Sequence, residues 1–139
     1  MKTTQKILTV VITMVIAVFF IAGNSYSQAK KPWTIPDKDK NTKAAVNVKD
    51  ASVISNGKDL WAKHCKSCHG SKGLGDGPKA ASLKTNPGDF TAAAFQGQTD
   101  GDLFYETSKG RDEMPAYEKK IPEANDRWAL VAYMRTLKK

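Results

Sequence analysis

The chain has 139 residues, with 22 Lys and Arg against 14 Asp and Glu, a formal net charge of +8. Its composition is that of a globular protein, which excludes collagen-like or wholly disordered chains, and two cysteines cannot build a disulfide scaffold. A basic surplus points to nucleic acid, an anionic membrane or an acidic protein partner without choosing among them.

Residues 1–27 read as an export signal. Lys2 and Lys6 form the positive start, Ile7 to Ala22 is apolar apart from Thr9 and Thr13, and Ser25-Tyr26-Ser27 offers small residues for cleavage before Gln28. The run is short for a membrane-spanning helix, which needs about 20 residues; the alternative to cleavage is an uncleaved anchor. Either way the remainder is expected beyond the inner membrane, in the periplasm. Residues 28–50 read as an extended basic arm, carrying Pro32, Trp33, Ile35 and Pro36 and then a polar stretch with neither helical nor strand period. It is either a flexible tether or a strap in which Trp33 and Ile35 dock on the domain. The folded domain is then residues 51–139.

Three helices are expected in that domain. The first carries Val53, Gly57, Leu60, Trp61 and His64 at spacings of three and four, with Asp50 or Ser52 as its cap. The second opens at Thr99, three residues before Asp102, and stops at Gly110. The third opens with Pro122 in its first turn, and Leu130, Tyr133, Met134 and Leu137 mark one apolar stripe. Gly70 to Phe90 is rich in Gly and Pro and reads as loop. No alternating strand pattern stands out, so the fold class is all-α with substantial loop.

At the end of the first helix stands Cys65-Lys66-Ser67-Cys68-His69. A Cys-x-x-Cys-His run is the attachment signature of a c-type haem. Two thiols one helical turn apart reach the two vinyl groups of a porphyrin and form thioethers, and the following His is held beneath the iron. A thioredoxin-like site expects a βαβ context that this chain lacks. Zinc needs a second ligand pair, and only His64 remains, too close along the chain to close a tetrahedron. A disulfide between Cys65 and Cys68 would close a loop too short to stabilise much. Haem also supplies the core that a small domain with few large aliphatics lacks. Trp61, Phe90, Phe95, Phe104, Trp128 and Tyr133 are expected to line it or to pack between helices.

With these residues in place, the segment 51–139 resembles the class I monohaem c-type cytochromes. Gly57 and Trp61 match the small residue and aromatic of that family's first helix. Leu130 to Met134 resembles its last helix, which crosses the first at the glycine. Gly75-Asp76-Gly77-Pro78 resembles the loop whose Pro carbonyl accepts a hydrogen bond from the ligand His, and Arg111-Asp112-Glu113-Met114-Pro115 resembles the loop supplying the sixth ligand. The resemblance implies a small fold with first and last helices packed across each other around one covalently attached haem. Asp112 and Glu113 depart from the family, where small or neutral residues are usual.

The sixth ligand can also be ranked from the residues. Met14 leaves with the signal, Met134 falls on the apolar stripe of the last helix, and His64 is tied beside Cys65. Met114 lies in an irregular loop 45 residues after His69 and is followed by Pro115, so it is the expected ligand. Iron is thus expected between His69 and Met114, with Pro78 as the acceptor for the His69 ring proton. Arg111 either pairs with a haem propionate or stays solvated. A thioether favours the reduced iron and fills the last position, which suits a carrier and not an enzyme. The expected function is periplasmic electron transfer. The alternative is a fixed haem subunit of a membrane or periplasmic oxidoreductase complex. A peroxidase or ligand sensor comes third, since no distal acid-base residue is present.

The charge divides along the chain. The signal and the arm hold +5 between them, leaving +3 for residues 51–139. Residues 51–84 are +4, residues 85–117 are −4, and residues 118–139 are +3. Nucleic acid is therefore not an expected partner. Lys66, Lys72 and Lys79 beside the haem motif suit the acidic docking surface of a redox protein. A monomer is expected.

Overall fold

The computed structural model describes residues 31–139; residues 1–27, read as an export signal, and Met14 among them lie outside the described residues. Within them the chain forms six α-helices, α1 (Asp37–Lys40), α2 (Ala51–His64), α3 (Lys66–His69), α4 (Ala93–Gln96), α5 (Asp100–Lys109) and α6 (Ala124–Thr136), with a 3-10 turn at Ala80–Ser82. Among the described residues there is no strand, only an isolated two-residue bridge between Arg111 and Met114. The fold is all-α, as the sequence predicts.

Helices α2 and α5 begin where side chains satisfy free backbone N–H groups, whereas α6 has no side-chain cap. The Asp50 carboxylate accepts from Ser52 N at 2.7 Å, which makes Asp50 the cap of α2. Thr99 and Asp102 close a reciprocal capping box on α5, and Gly110 ends it. Helix α6 starts later than expected. Its cap is Glu123, so Pro122 stands outside the first turn. There the Pro122 carbonyl accepts from Arg127 Nη1 at 2.9 Å, a bond that turns it back onto the helix.

Helices α2 and α6 cross with backbones nearly touching. A Cβ on Gly57 would lie 1.9 Å from the Ala129 carbonyl oxygen, so only glycine permits the crossing. The expected single stripe on α6 underestimates its burial: Trp128 through Ala132 and Met134 are all buried. The reason is that the helix is covered on two sides. One cluster joins Trp61, Cys65, Phe90, Tyr117, Ile121, Leu130 and Met134. A second joins Leu103, Trp128 and Val131, and Ala44, Val46 and Val48 of the arm pack against it.

The arm is therefore a strap over the described part of its length. Helix α1 is one turn against the start of α5, where the Thr99 hydroxyl donates to the Lys40 carbonyl at 3.2 Å. Beyond it the chain is irregular, bending at Ala45 and Val46 and turning at Val48 and Lys49, with Ala44, Val46 and Val48 half-buried and Ala45, Asn47 and Lys49 exposed. Every second residue thus faces the second cluster across these bends. The polar stretch has no strand, as expected, but Asp37–Lys40 forms one helical turn that the absence of a helical period did not predict. Among the described residues no helix is long and apolar enough to cross a membrane.

Candidate functional site

The two cysteines and His69 are set by the end of α2 and the single turn that follows. Cys65 N donates to Trp61 O at 2.9 Å, and Cys68 N and His69 N both donate to Cys65 O, at 3.1 and 3.0 Å. A turn at this spacing brings positions i, i+3 and i+4 to one side, so both thiols and the imidazole face the same way. The loop behind folds back along this turn. Gly75 N donates to His69 O at 2.9 Å, Gly77 N to Cys68 O at 3.2 Å and Lys79 N to Ser67 O at 2.8 Å. Pro78 is thereby pinned beside the motif between two bonded neighbours.

An aromatic wall backs His69. Its ring centroid lies 4.6 Å from Phe90 and 5.7 Å from Trp61. Phe90 in turn stacks on Phe95 at 4.0 Å. Trp61 is also fixed at its polar edge, where the indole N–H donates to Gly70 O at 3.0 Å. Of the six aromatics expected at the site or between helices, Trp61, Phe90 and Phe95 line the cavity described below. Phe104 instead stacks on Trp128 at 4.2 Å in the second cluster, and Tyr133 packs on Trp61 at 5.7 Å.

Met114 is presented by a tight turn. Arg111 N donates to Met114 O at 2.9 Å and Met114 N to Arg111 O at 2.8 Å, with Asp112 at φ +50° between them. Aspartate tolerates this left-handed conformation better than most residues, which accounts for its presence. Glu113 is also explained: its carboxylate accepts from Lys84 N at 2.7 Å and ties the turn to the loop at residues 83–88. Of the two acidic departures from the family pattern, Asp112 suits the turn's backbone and Glu113 fastens it.

These segments meet around one cavity of about 980 Å³, lined among others by Cys65, Cys68, His69, Arg111 and Met114. Pro78 is not in its lining. Met134 is in the lining and also 4% exposed within the first cluster, so it is both core and cavity wall. His64 reaches the cavity from the last turn of α2, with its ring 6.0 Å from Tyr117 and its carbonyl accepting from the Tyr117 hydroxyl at 2.7 Å. Burial, followed by the charges of Lys63 and Lys120, holds His64 below the usual histidine range. Tyr117 is the site residue that the sequence reading missed. It lies in a loop with no periodic neighbours, and only its contact with His64, 53 residues away, identifies it.

Both thiols are free. Burial pushes the Cys65 thiol up to about 12, with Cys68 adding to the shift. Burial likewise raises Tyr117 to about 12. Arg111 is half-buried. Its guanidinium lies 4.2 Å over the Trp33 ring, and its Nη1 donates to Lys31 O at 2.6 Å. The residues present fit a haem: two thiols one turn apart, an imidazole and a thioether line one cavity, partly walled by aromatics, and come from segments distant in the chain.

The family model described as cytochrome c oxidase, cbb3-type, subunit III matches residues 52–134. Among solved structures, the chain is similar to a component of the Kuenenia stuttgartiensis reducing HAO-like protein complex Kustc0457/Kustc0458, at 26% identity and a TM-score of 0.60. That match covers 73% of this chain and 53% of the other, so this chain spans about half the length of that relative. It is also similar to the c-type cytochrome KustC0563, at 30% identity and a TM-score of 0.51, over 60% of this chain and 98% of the other. No curated protein matches the chain.

Proposed function

The chain belongs to the family of c-type cytochromes described by the cbb3-type oxidase subunit III model, and from that premise we propose that it is an exported electron carrier with His69 and Met114 as iron ligands. The observation that carries the reading is the convergence of Cys65, Cys68, His69 and Met114 on one cavity. Haem c, when bound, supplies an iron that gains and loses a single electron. Cys65 and Cys68 would hold the group through two thioether bonds. His69, backed by Trp61 and Phe90, would keep one orientation in both oxidation states. The Pro78 carbonyl, beside the motif, is the proposed acceptor for the His69 ring proton and would fix which nitrogen meets the metal.

Met114 contributes a soft, neutral sulfur that favours the reduced state and leaves no position for an external molecule. Lys66, Lys72 and Lys79 are exposed next to the motif and suit an acidic docking surface on a redox partner. Transfer rates with such a partner are expected to fall as salt is added, and rates indifferent to ionic strength would argue against that surface.

Residues 1–27 would direct the chain to the periplasm. The mass and N-terminal sequence of the mature protein test cleavage and the number of attached haems together. The ligand assignment is tested by spectroscopy of the wild type and Met114→Ala with carbon monoxide and cyanide. The wild type should bind neither readily and the variant should bind both. A wild type that took up either at once would contradict the carrier reading.

A second reading is favoured by a specific observation: one similar structure is a component of a protein complex, and the matching family model describes an oxidase subunit. In that reading the domain is a fixed haem subunit. Native membranes washed with salt decide between the two, since a carrier should be released and a subunit should stay with its complex.

A further inference from the structure

We propose that Trp33 and Arg111 form a clasp by which the N-terminal arm holds the Met114 turn in place, making Trp33 a positioning residue for the sixth ligand. The inference rests on the reading of Met114 as that ligand.

The backbones of Arg111 and Met114 are joined by two hydrogen bonds, of 2.9 and 2.8 Å, one in each direction. The position of one residue therefore dictates that of the other. The Arg111 side chain is in turn held by the arm: its guanidinium lies 4.2 Å over the Trp33 ring, and Nη1 donates to the Lys31 carbonyl at 2.6 Å. Those partners lie about 80 positions earlier in the chain, so no local preference of the turn produces the contact. A planar guanidinium suits this arrangement because it can stack on a ring and donate from its edge at once.

The arm can act as a fixed support because it is fastened elsewhere. Lys40 O accepts from the Thr99 hydroxyl at the start of α5. Ala44, Val46 and Val48 pack on the Leu103, Trp128 and Val131 cluster. Trp33 is half-buried, whereas Asp112 and Glu113 at the tip of the turn are exposed. Besides the arm, the turn has the Glu113 bond to Lys84 N. Releasing the clasp should consequently loosen the thioether without unfolding the domain. Trp33, Arg111 and Met114 all line the one cavity, so the support acts at its rim.

The test uses the full-length, haem-loaded ferric protein, its thioether-to-iron charge-transfer band, and titration with imidazole as a competing ligand. Trp33→Ala should weaken the band and raise imidazole affinity roughly tenfold, the scale expected when a cation–π contact and an adjoining hydrogen bond are lost. Trp33→Phe, which keeps an aromatic face for Arg111, should restore most of the wild-type behaviour. Val46→Ala, at the far end of the arm, should lower the unfolding midpoint and leave imidazole affinity unchanged. Imidazole affinity in Trp33→Ala equal to wild type would overturn the clasp while leaving Met114 as ligand. An equal rise in Val46→Ala would also overturn it, because general loosening of the arm would then suffice. A wild type that lacks the band and takes imidazole as readily as Met114→Ala would overturn the ligand reading itself, and the clasp with it.

Discussion

The Cys65–His69 turn and the Met114 turn enter the same cavity but are held by different means. The first continues directly from α2, which is locked against α6 by the Gly57 crossing, and it is walled by Trp61 and Phe90. The second hangs between α5 and α6 on two backbone bonds, one carboxylate and the arm. Most of the helix packing thus supports the side that would anchor the cofactor covalently. The side that would complete the iron's coordination relies on loop contacts, each of modest strength. Damage to the first region should cost the fold, and damage to the second should cost ligation.

Four measurements can break or sharpen that contrast. Trp61→Ala removes a side chain 2% exposed at the centre of the first cluster and should destabilise the haem-loaded protein by about 3–5 kcal/mol. Urea unfolding measures it, and a loss below about 1 kcal/mol would mean that the helical side is not the rigid one. Gly110→Ala acts on the other region. Gly110 has φ +60°, and an added Cβ would lie 2.4 Å from Met114 O. An expected cost of about 2 kcal/mol should fall on the turn, abolishing the thioether band while far-UV circular dichroism keeps its helical signal. Loss of helix in that variant would erase the distinction between the regions.

Glu113→Ala is a milder version of the same change. It leaves Lys84 N without its carboxylate acceptor on an exposed loop and should cost about 1 kcal/mol or less. The sensitive readout is imidazole affinity, which should rise by less than in Trp33→Ala. The smallest effect concerns the cap of α2. Hydrogen bonds from the Ser52 hydroxyl and N–H hold the Asp50 carboxyl below the usual carboxylate range. A lowered folded-state value means that the cap's pH-dependent contribution is complete above the ordinary value of about 3.9 and is lost as pH falls through the folded one. The difference in unfolding midpoint between wild type and Asp50→Asn should therefore narrow between about pH 6 and about pH 3. A constant difference across that range would show that the charge of Asp50 has no part in holding α2.

The two regions also differ in how far they could be read from the chain. The helical side was visible because its determinants are local. Cap, glycine, tryptophan, the cysteines and histidine follow one another at helical spacing within twenty residues, and the structure sets them in that order on α2 and α3. The start of α6 departs from the expected one because Pro122 suits a first turn but lies outside it, where its carbonyl accepts from Arg127. On the other side, Met114 was identified as a residue, yet Asp112 and Glu113 stood out only as departures. Their purpose depends on a backbone angle and on Lys84, neither of which spacing reveals.

The arm shows the same limit. Its tryptophan and isoleucine leave a tether and a strap both open, and the anchors against the second cluster are the less conspicuous Ala44, Val46 and Val48. By itself the sequence determined the helical class, the haem-attachment motif and the candidate ligands, since these depend on residue types at short, regular intervals. Only the tertiary structure decided that the arm is a strap, that Arg111 engages Trp33, and that Tyr117 meets His64. Each of those is a contact between residues more than fifty positions apart, where the partner is chosen by what the folded surface brings within reach and by nothing in the neighbouring sequence.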